Sequence, residues 1–178
     1  EELGMENGAI PPEYVQDPVA LRQPDIAHLL GRDPVRTPMQ WDGSPNAGFA
    51  RPGVQTWLPV ASNYAECNVE WQSQESTSML HLYRALAQLR RVEPSLAIGG
   101  YASIDAGVED IFAYTRAAPN AARFLIVLNF GVRVHTLDLG QVAASANIMV
   151  ATGMRSGDVE LTGLALGPNE GLVLKLID

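Results

Sequence analysis

The chain has a single cysteine, Cys67, only three histidines, and no apolar run near the roughly 20 residues that cross a bilayer. One cysteine rules out an internal disulfide and a cysteine-based metal site. His28, His81 and His135 stand apart with no ligand spacing, so neither a metal nor a cofactor is expected. Basic residues are in short supply too, 12 against 20 acidic ones, for a net charge of −8. A nucleic-acid partner needs a basic surface and is therefore not expected. Nor is a membrane partner. The opening "EELGMENGA" shows neither an initiating methionine nor a charged-then-apolar leader. It reads as an excerpt from a longer protein, whose expected compartment is the cytoplasm.

What is present is ordinary globular material. Forty-seven per cent of the 178 residues are hydrophobic and 18 per cent charged, enough to bury a core. The texture changes twice along the chain. Residues 1 to about 72 hold nine of the 12 prolines, from Pro11 to Pro59, with weak periodicity. One short helix fits around Val19–Leu30, interrupted at Pro24. A compact domain rarely carries so much irregular chain unaided. Trp41, Trp57 and Trp71 argue against disorder, which is poor in large aromatics. The stretch reads as loop equipment of a larger scaffold.

The second zone, "ESTSMLHLYRALAQLRRVEP", is an amphipathic helix over about 77–92. Met79, Leu82, Tyr83, Leu86 and Leu89 fall on one face. Ser76 or Thr77 is placed to cap it, Arg90 and Arg91 suit its negative end, and Pro94 is expected to stop it. The apolar stripe must pack on the following sheet or on something beyond this chain.

From about Ala97 onward, short β-rich runs alternate with turn signals. "GGYASID", "IFAYTRA", "RFLIVLNF", "VRVHTLDL", "NIMVATG", "VELTG" and "GLVLKLI" give seven or so strands, with a bulge or register change in the fourth. Close spacing with no helix between them means an all-β antiparallel sandwich. No exposed aromatic pair is legible in it.

The segment "GRDPVRTPMQWDGSPNAGF", Gly31 to Phe49, fits neither helix nor strand. It resembles the loop between the last strand and last helix in the α-glucosidase and oligo-1,6-glucosidase branch of the α-amylase superfamily, glycoside hydrolase family thirteen. "EELGM" resembles the end of that family's eighth barrel strand. "WLPVASNYAECNVEWQ" and "LHLYRALAQLRRVEPSLAIGGY" follow in the family's order. The resemblance covers residues 1 to about 101. It implies a fragment of a (β/α)₈ barrel over 1–96, with a β-sandwich domain over 97–178. Loops at the C-terminal end of barrel strands build the active site.

The resemblance implies that Arg36 sits at the floor of a glucose pocket, paired with an Asp from an early loop. A guanidinium suits the task, being a permanently charged planar fork of donors. Arg32 and Asp33 are further candidates for substrate binding, with bracing of their own loop as the alternative. Gln40 and Trp41 are expected to pack and hydrogen-bond beneath the loop. Trp41, Phe49 and Trp57 could stack on sugar, but buried structural roles are expected. Glu1 and Glu2 would lie beside the barrel mouth, Glu2 as a structural position. No special chemistry is read for Asn46 or Asn63.

Retaining glycosidases need two carboxyl groups about 5 Å apart. In the family these end strands four and five, helped by an Asp in a His-Asp pair ending strand seven. All three would precede Glu1, and no His-Asp dipeptide occurs in the chain. No catalytic residue is therefore assigned. The chain is read as the C-terminal part of a retaining α-glucosidase acting on α-1,4 or α-1,6 bonds of short oligosaccharides, inactive alone and prone to self-association. Three rivals stand. A sucrose isomerase or trehalose synthase would differ in its acceptor-site loops, a transporter heavy subunit by an upstream anchor, and a carbohydrate-binding module by retention on a glucan resin.

Overall fold

Proline decides where the first part of the chain turns. In the computed structural model, which describes residues 2–177, Asp17 caps helix α1 (Pro18–Arg22) by accepting from the Val19 N–H at 2.9 Å. Pro18 takes the first helical position, where no N–H is needed. Pro24 then opens a 3₁₀ turn, Pro24–Ile26, ahead of helix α2 (Ala27–Leu30). The one interrupted helix expected here is thus two short helices and a turn. Gly31 closes α2, donating to the Ala27 carbonyl at 2.7 Å. A side chain at Gly31 would run into that same carbonyl. The expectations that touch Glu1 and Asp178 lie outside the described residues.

Helix α3 (Val69–Gln74) is capped by Asn68, whose Oδ1 accepts from the Trp71 N–H at 2.8 Å. Helix α4 (Met79–Val92) carries the expected amphipathic stripe. Its cap is not Ser76 or Thr77. Thr77 donates to Glu75 at 3.0 Å instead. Buried Gln72 reaches the first turn of α4 and accepts from Leu80 N at 2.9 Å, while Ser78 Oγ accepts from His81 N at 3.4 Å. Pro94 stops α4 as expected, but it also opens a new helix. The residue before a proline avoids the helical region, and Glu93 is extended, so α4 stops at Val92 and Pro94 starts helix α5 (Pro94–Ile98). Among the described residues no helix is long and apolar enough to cross a membrane.

The remaining chain is antiparallel sheet. Strands β1 (Gly100–Ile104), β2 (Ile111–Ala117), β3 (Phe124–Asn129), β5 (Ser145–Ala151), β6 (Gly157–Glu160) and β8 (Gly171–Ile177) form a six-stranded sheet in the order β1-β2-β3-β8-β5-β6. Strands β4 (His135–Asp138) and β7 (Thr162–Leu166) form a second, two-stranded sheet. The register shift expected near "VRVHTLDL" falls between Leu137 and Asp138. "VELTG" supplies two strands rather than one, because the chain crosses from one sheet to the other at buried Leu161.

Period-two alternation points Leu172, Leu174 and Leu176 of β8 inward, against Leu125 and Val127 of β3. Leu137, Leu164 and Leu166 of the small sheet close the same core. Two facing sheets with one shared core make the all-β sandwich that the strand pattern implied. Burying each leucine contributes about 1.5–3 kcal/mol. The chain divides into two compact units, Glu1–Tyr83 and Arg84–Asp178, the division falling within α4.

Candidate functional site

The segment from Gly31 to Phe49 keeps one shape because its backbone is tied down at several points. Val69 N and Glu70 N, at the start of α3, donate to the carbonyls of Gln40 and Trp41 at 3.0 and 2.9 Å. The Gln40 side chain is fully buried and donates to Asn63 Oδ1 at 3.0 Å. Beyond it the chain makes a tight reversal. Asn46, Ala47 and Gly48 have φ of 59°, 53° and 66°, a left-handed run that costs about 1–2 kcal/mol for each residue other than glycine. Hydrogen bonds offset that cost. Trp41 N donates to the Ala47 carbonyl at 2.8 Å, and Asn46 Nδ2 donates to the carbonyls of Arg51 (3.1 Å) and Val54 (2.8 Å).

Two aspartates organise the start of the segment. Asp17 is buried, and its Oδ2 accepts from Arg32 Nε at 2.7 Å and Arg32 N at 3.3 Å. Its other oxygen caps α1. The Arg32 hydrogen bond foremost, then the Val19 N–H, brings its carboxyl down to about 2. Asp33 is also buried, and its Oδ2 accepts from Gln16 N (2.7 Å) and Asp17 N (2.9 Å). Its Oδ1 is buried without a partner among the described residues. Both carboxylates hold backbone.

The two arginines differ from these aspartates and from each other. Arg32 spends one nitrogen on Asp17 while its side chain stays 57 per cent exposed. Its two terminal nitrogens have no partner among the described residues. Arg36 is exposed, with its backbone N–H on the Asp33 carbonyl at 2.9 Å. Its guanidinium makes no hydrogen bond or ion pair among the described residues. A cavity of about 540 Å³, bordered by Asn7, Ile10, Ala20, His28 and Asp33, lies in the same unit.

Some expectations need correcting. Trp41, Phe49 and Trp57 are each about half exposed, at 50, 49 and 55 per cent, rather than buried. Trp41 packs less than expected because its own backbone, not its ring, anchors the turn. Asn46 and Asn63, read as without special chemistry, are hydrogen-bonding supports of the loop. Asp17 and Asn68 were not singled out at all. An Asp-Pro pair ahead of an apolar run was the available signal for Asp17. The sandwich also carries an aromatic cluster that alternation conceals. Tyr101 and Phe112, 57 and 44 per cent exposed, flank Tyr114 with ring centroids 5.2 and 5.4 Å away.

Residues 1–99 match the alpha-amylase catalytic domain family. Maltase A1 of Drosophila melanogaster is 36 per cent identical over 98 per cent of the chain and 31 per cent of its own length. An oligo-1,6-glucosidase of Parageobacillus thermoglucosidasius is 31 per cent identical over 92 per cent of the chain and 29 per cent of its own. The crystal structure of a trehalulose synthase from Pseudomonas mesoacidophila MX-45 superposes with a TM-score of 0.80. The two are 26 per cent identical over 98 per cent of this chain and 34 per cent of that one. The chain thus spans about a third of the length of these relatives.

Proposed function

The chain belongs to the alpha-amylase family, and from that premise we propose that it is the C-terminal part of a retaining α-glucosidase acting on α-glucosidic bonds of short oligosaccharides. Residues 1–96 are assigned to the end of the barrel and 97–178 to a β-sandwich domain. One observation carries the reading of the site. The segment from Gly31 to Phe49 is tied down on either side of Arg36, at Asp33 and from Gln40 onward, yet the guanidinium of Arg36 is unengaged among the described residues. A rigid loop holding out a free planar donor fork suits sugar hydroxyls and a carboxylate together. The terminal nitrogens of Arg32 are assigned the same partners. Asp33, being buried, is assigned to holding the loop rather than to touching sugar.

In this reading the chain contributes to substrate binding and carries neither the nucleophile nor the acid. The test is a chimera in which residues 1–178 replace the corresponding segment of a full-length oligo-1,6-glucosidase. The chimera is expected to cleave an aryl α-glucoside, and the chain alone is not. Turnover by the chain alone, tracking with it through two columns, overturns the proposal. Product analysis on sucrose separates hydrolysis from glucosyl transfer, the alternative parent activity.

The aromatic cluster on β1 and β2 favours a second reading, a carbohydrate-binding role for the sandwich. Aromatic faces stack on the C–H faces of pyranose rings, and Tyr101 and Phe112 are exposed enough to do so. Retention on a starch resin, lost in Phe112→Ala, supports this reading. Free passage of the unaltered chain rejects it.

A further inference from the structure

Only one of the eight asparagines, Asn7, precedes a glycine, and only one aspartate, Asp42, does. Both dipeptides are prone to succinimide formation, because glycine, having no side chain, leaves its own nitrogen free to attack the carbonyl carbon of the preceding side chain. The structure treats them differently.

Asp42 is held back. Its Oδ1 accepts from the Ser44 hydroxyl and from Ser44 N at 2.8 Å. These bonds, the hydroxyl first, hold its carboxyl below the usual range, which keeps it ionised and a poor electrophile. Asn7 has no such restraint. It is exposed, in a stretch without regular structure, and its side-chain amide has no hydrogen-bond partner among the described residues. The Gly8 N–H donates to no acceptor among them either. Space is open as well: a Cβ at Gly8 would meet only Thr37 Cγ2, at 3.9 Å. Elsewhere the amides are engaged or face a bulkier neighbour. Asn46 donates to two carbonyls, as does Asn129.

We propose that Asn7 is a site of spontaneous deamidation, which places a carboxylate at the edge of the cavity it shares with His28 and Asp33. The Gly8 nitrogen gives up its proton and attacks Asn7 Cγ. A C–N bond forms, the bond to the side-chain nitrogen breaks, and ammonia leaves. Water then opens the five-membered imide at either carbonyl, giving aspartate or isoaspartate. The net reaction consumes water and releases ammonia, with no change of oxidation state. The isoaspartate form adds a carbon to the backbone beside Asn7 as well as a negative charge. The cavity is lined mainly by apolar residues and already holds buried Asp33, so the charge raises the repulsion there.

The experiment ages the purified chain at neutral and mildly alkaline pH, then cleaves it after glutamate to release residues 7–13. The expected result is a gain of one mass unit in that peptide, severalfold faster than in any peptide carrying another asparagine and faster at the higher pH. An isoaspartate-specific methyltransferase should label the same peptide and not the one containing Asp42. Gly8→Ala should slow the reaction severalfold while leaving the circular dichroism unchanged, since the site has room for a methyl group. Deamidation of residues 7–13 no faster than elsewhere, or insensitive to Gly8→Ala in a folded chain, overturns the proposal.

Discussion

Arg32 donates its Nε to Asp17 at 2.7 Å across 15 residues of chain, and the same carboxylate caps helix α1 through Val19. One buried acid therefore fixes both a helix start and the root of the arginine-bearing loop. The carboxyl is down at about 2 from an ordinary 3.8. A carboxylate whose folded value is depressed stabilises the fold above its unfolded value and loses that contribution as pH falls through the folded one. Order around residues 16–36 should therefore weaken between about pH 4 and pH 2. Hydrogen exchange at the amides of Val19 and Arg32 checks this. Asp17→Asn should remove the acid sensitivity of those amides and lower their protection at neutral pH.

Arg36→Ala separates a substrate contact from a brace. In the chimeric glucosidase it should lower kcat/KM about tenfold to a hundredfold, since losing a charge-assisted hydrogen bond costs about 1.5–3 kcal/mol and 1.4 kcal/mol is one decade. Arg36→Lys should recover little, because an ammonium cannot reproduce the fork. In the 178-residue chain the same change should leave the denaturation midpoint in place, the guanidinium having no partner to lose among the described residues. Efficiency within twofold of the parent chimera, or a shifted midpoint, would make Arg36 a brace.

Leu174 is fully buried in the centre of the sandwich core. Leu174→Ala should cost the Arg84–Asp178 unit about 2–5 kcal/mol, the usual range for a truncation that leaves a cavity. Denaturant titration followed at the tyrosines of that unit measures it. Leu174→Met, nearly equal in volume, should cost less than about 1.5 kcal/mol.

The sandwich was legible because β3 and β8 write their environment into their spelling. "FLIVLN" is apolar on both faces, and "GLVLKLI" alternates, as strands packed on two sides or one must. The helix stripe of α4 was legible for the same reason. The loop was legible only as a resemblance, since its shape comes from hydrogen bonds between residues far apart. Asp33 to Gln16, Gln40 to Asn63 and Asn46 to Val54 leave no periodicity behind. The cap at Ser78 was missed because Gln72, six residues earlier, decides it: its backbone carbonyl accepts from the Ser78 hydroxyl and its side chain accepts from Leu80 N. The aromatic cluster was missed because Tyr101 and Phe112 lie on different strands, and only the register of Tyr101 opposite Arg116 brings them round Tyr114.

The last prediction concerns the stripe of α4. Met79, Tyr83 and Leu86 are 46, 38 and 39 per cent exposed, while Leu89 is buried. An amphipathic helix owes most of its stability to burying that stripe, so a half-exposed one is an incentive to associate. Contiguous exposed apolar patches beyond a few hundred Å² commonly mark interaction surfaces. The purified chain is therefore expected to self-associate as its concentration rises, with light scattering giving a mass that grows toward at least twice that of one chain. Leu86→Glu places a charge in the middle of the stripe and should return the chain to a monomer. Leu89→Glu serves as the contrast, because burying a charge there should unfold the Arg84–Asp178 unit rather than dissociate copies. A monomer at every concentration, with Leu86→Glu changing nothing, would mean that the stripe is too small or too divided by Arg84 and Arg90 to hold a partner.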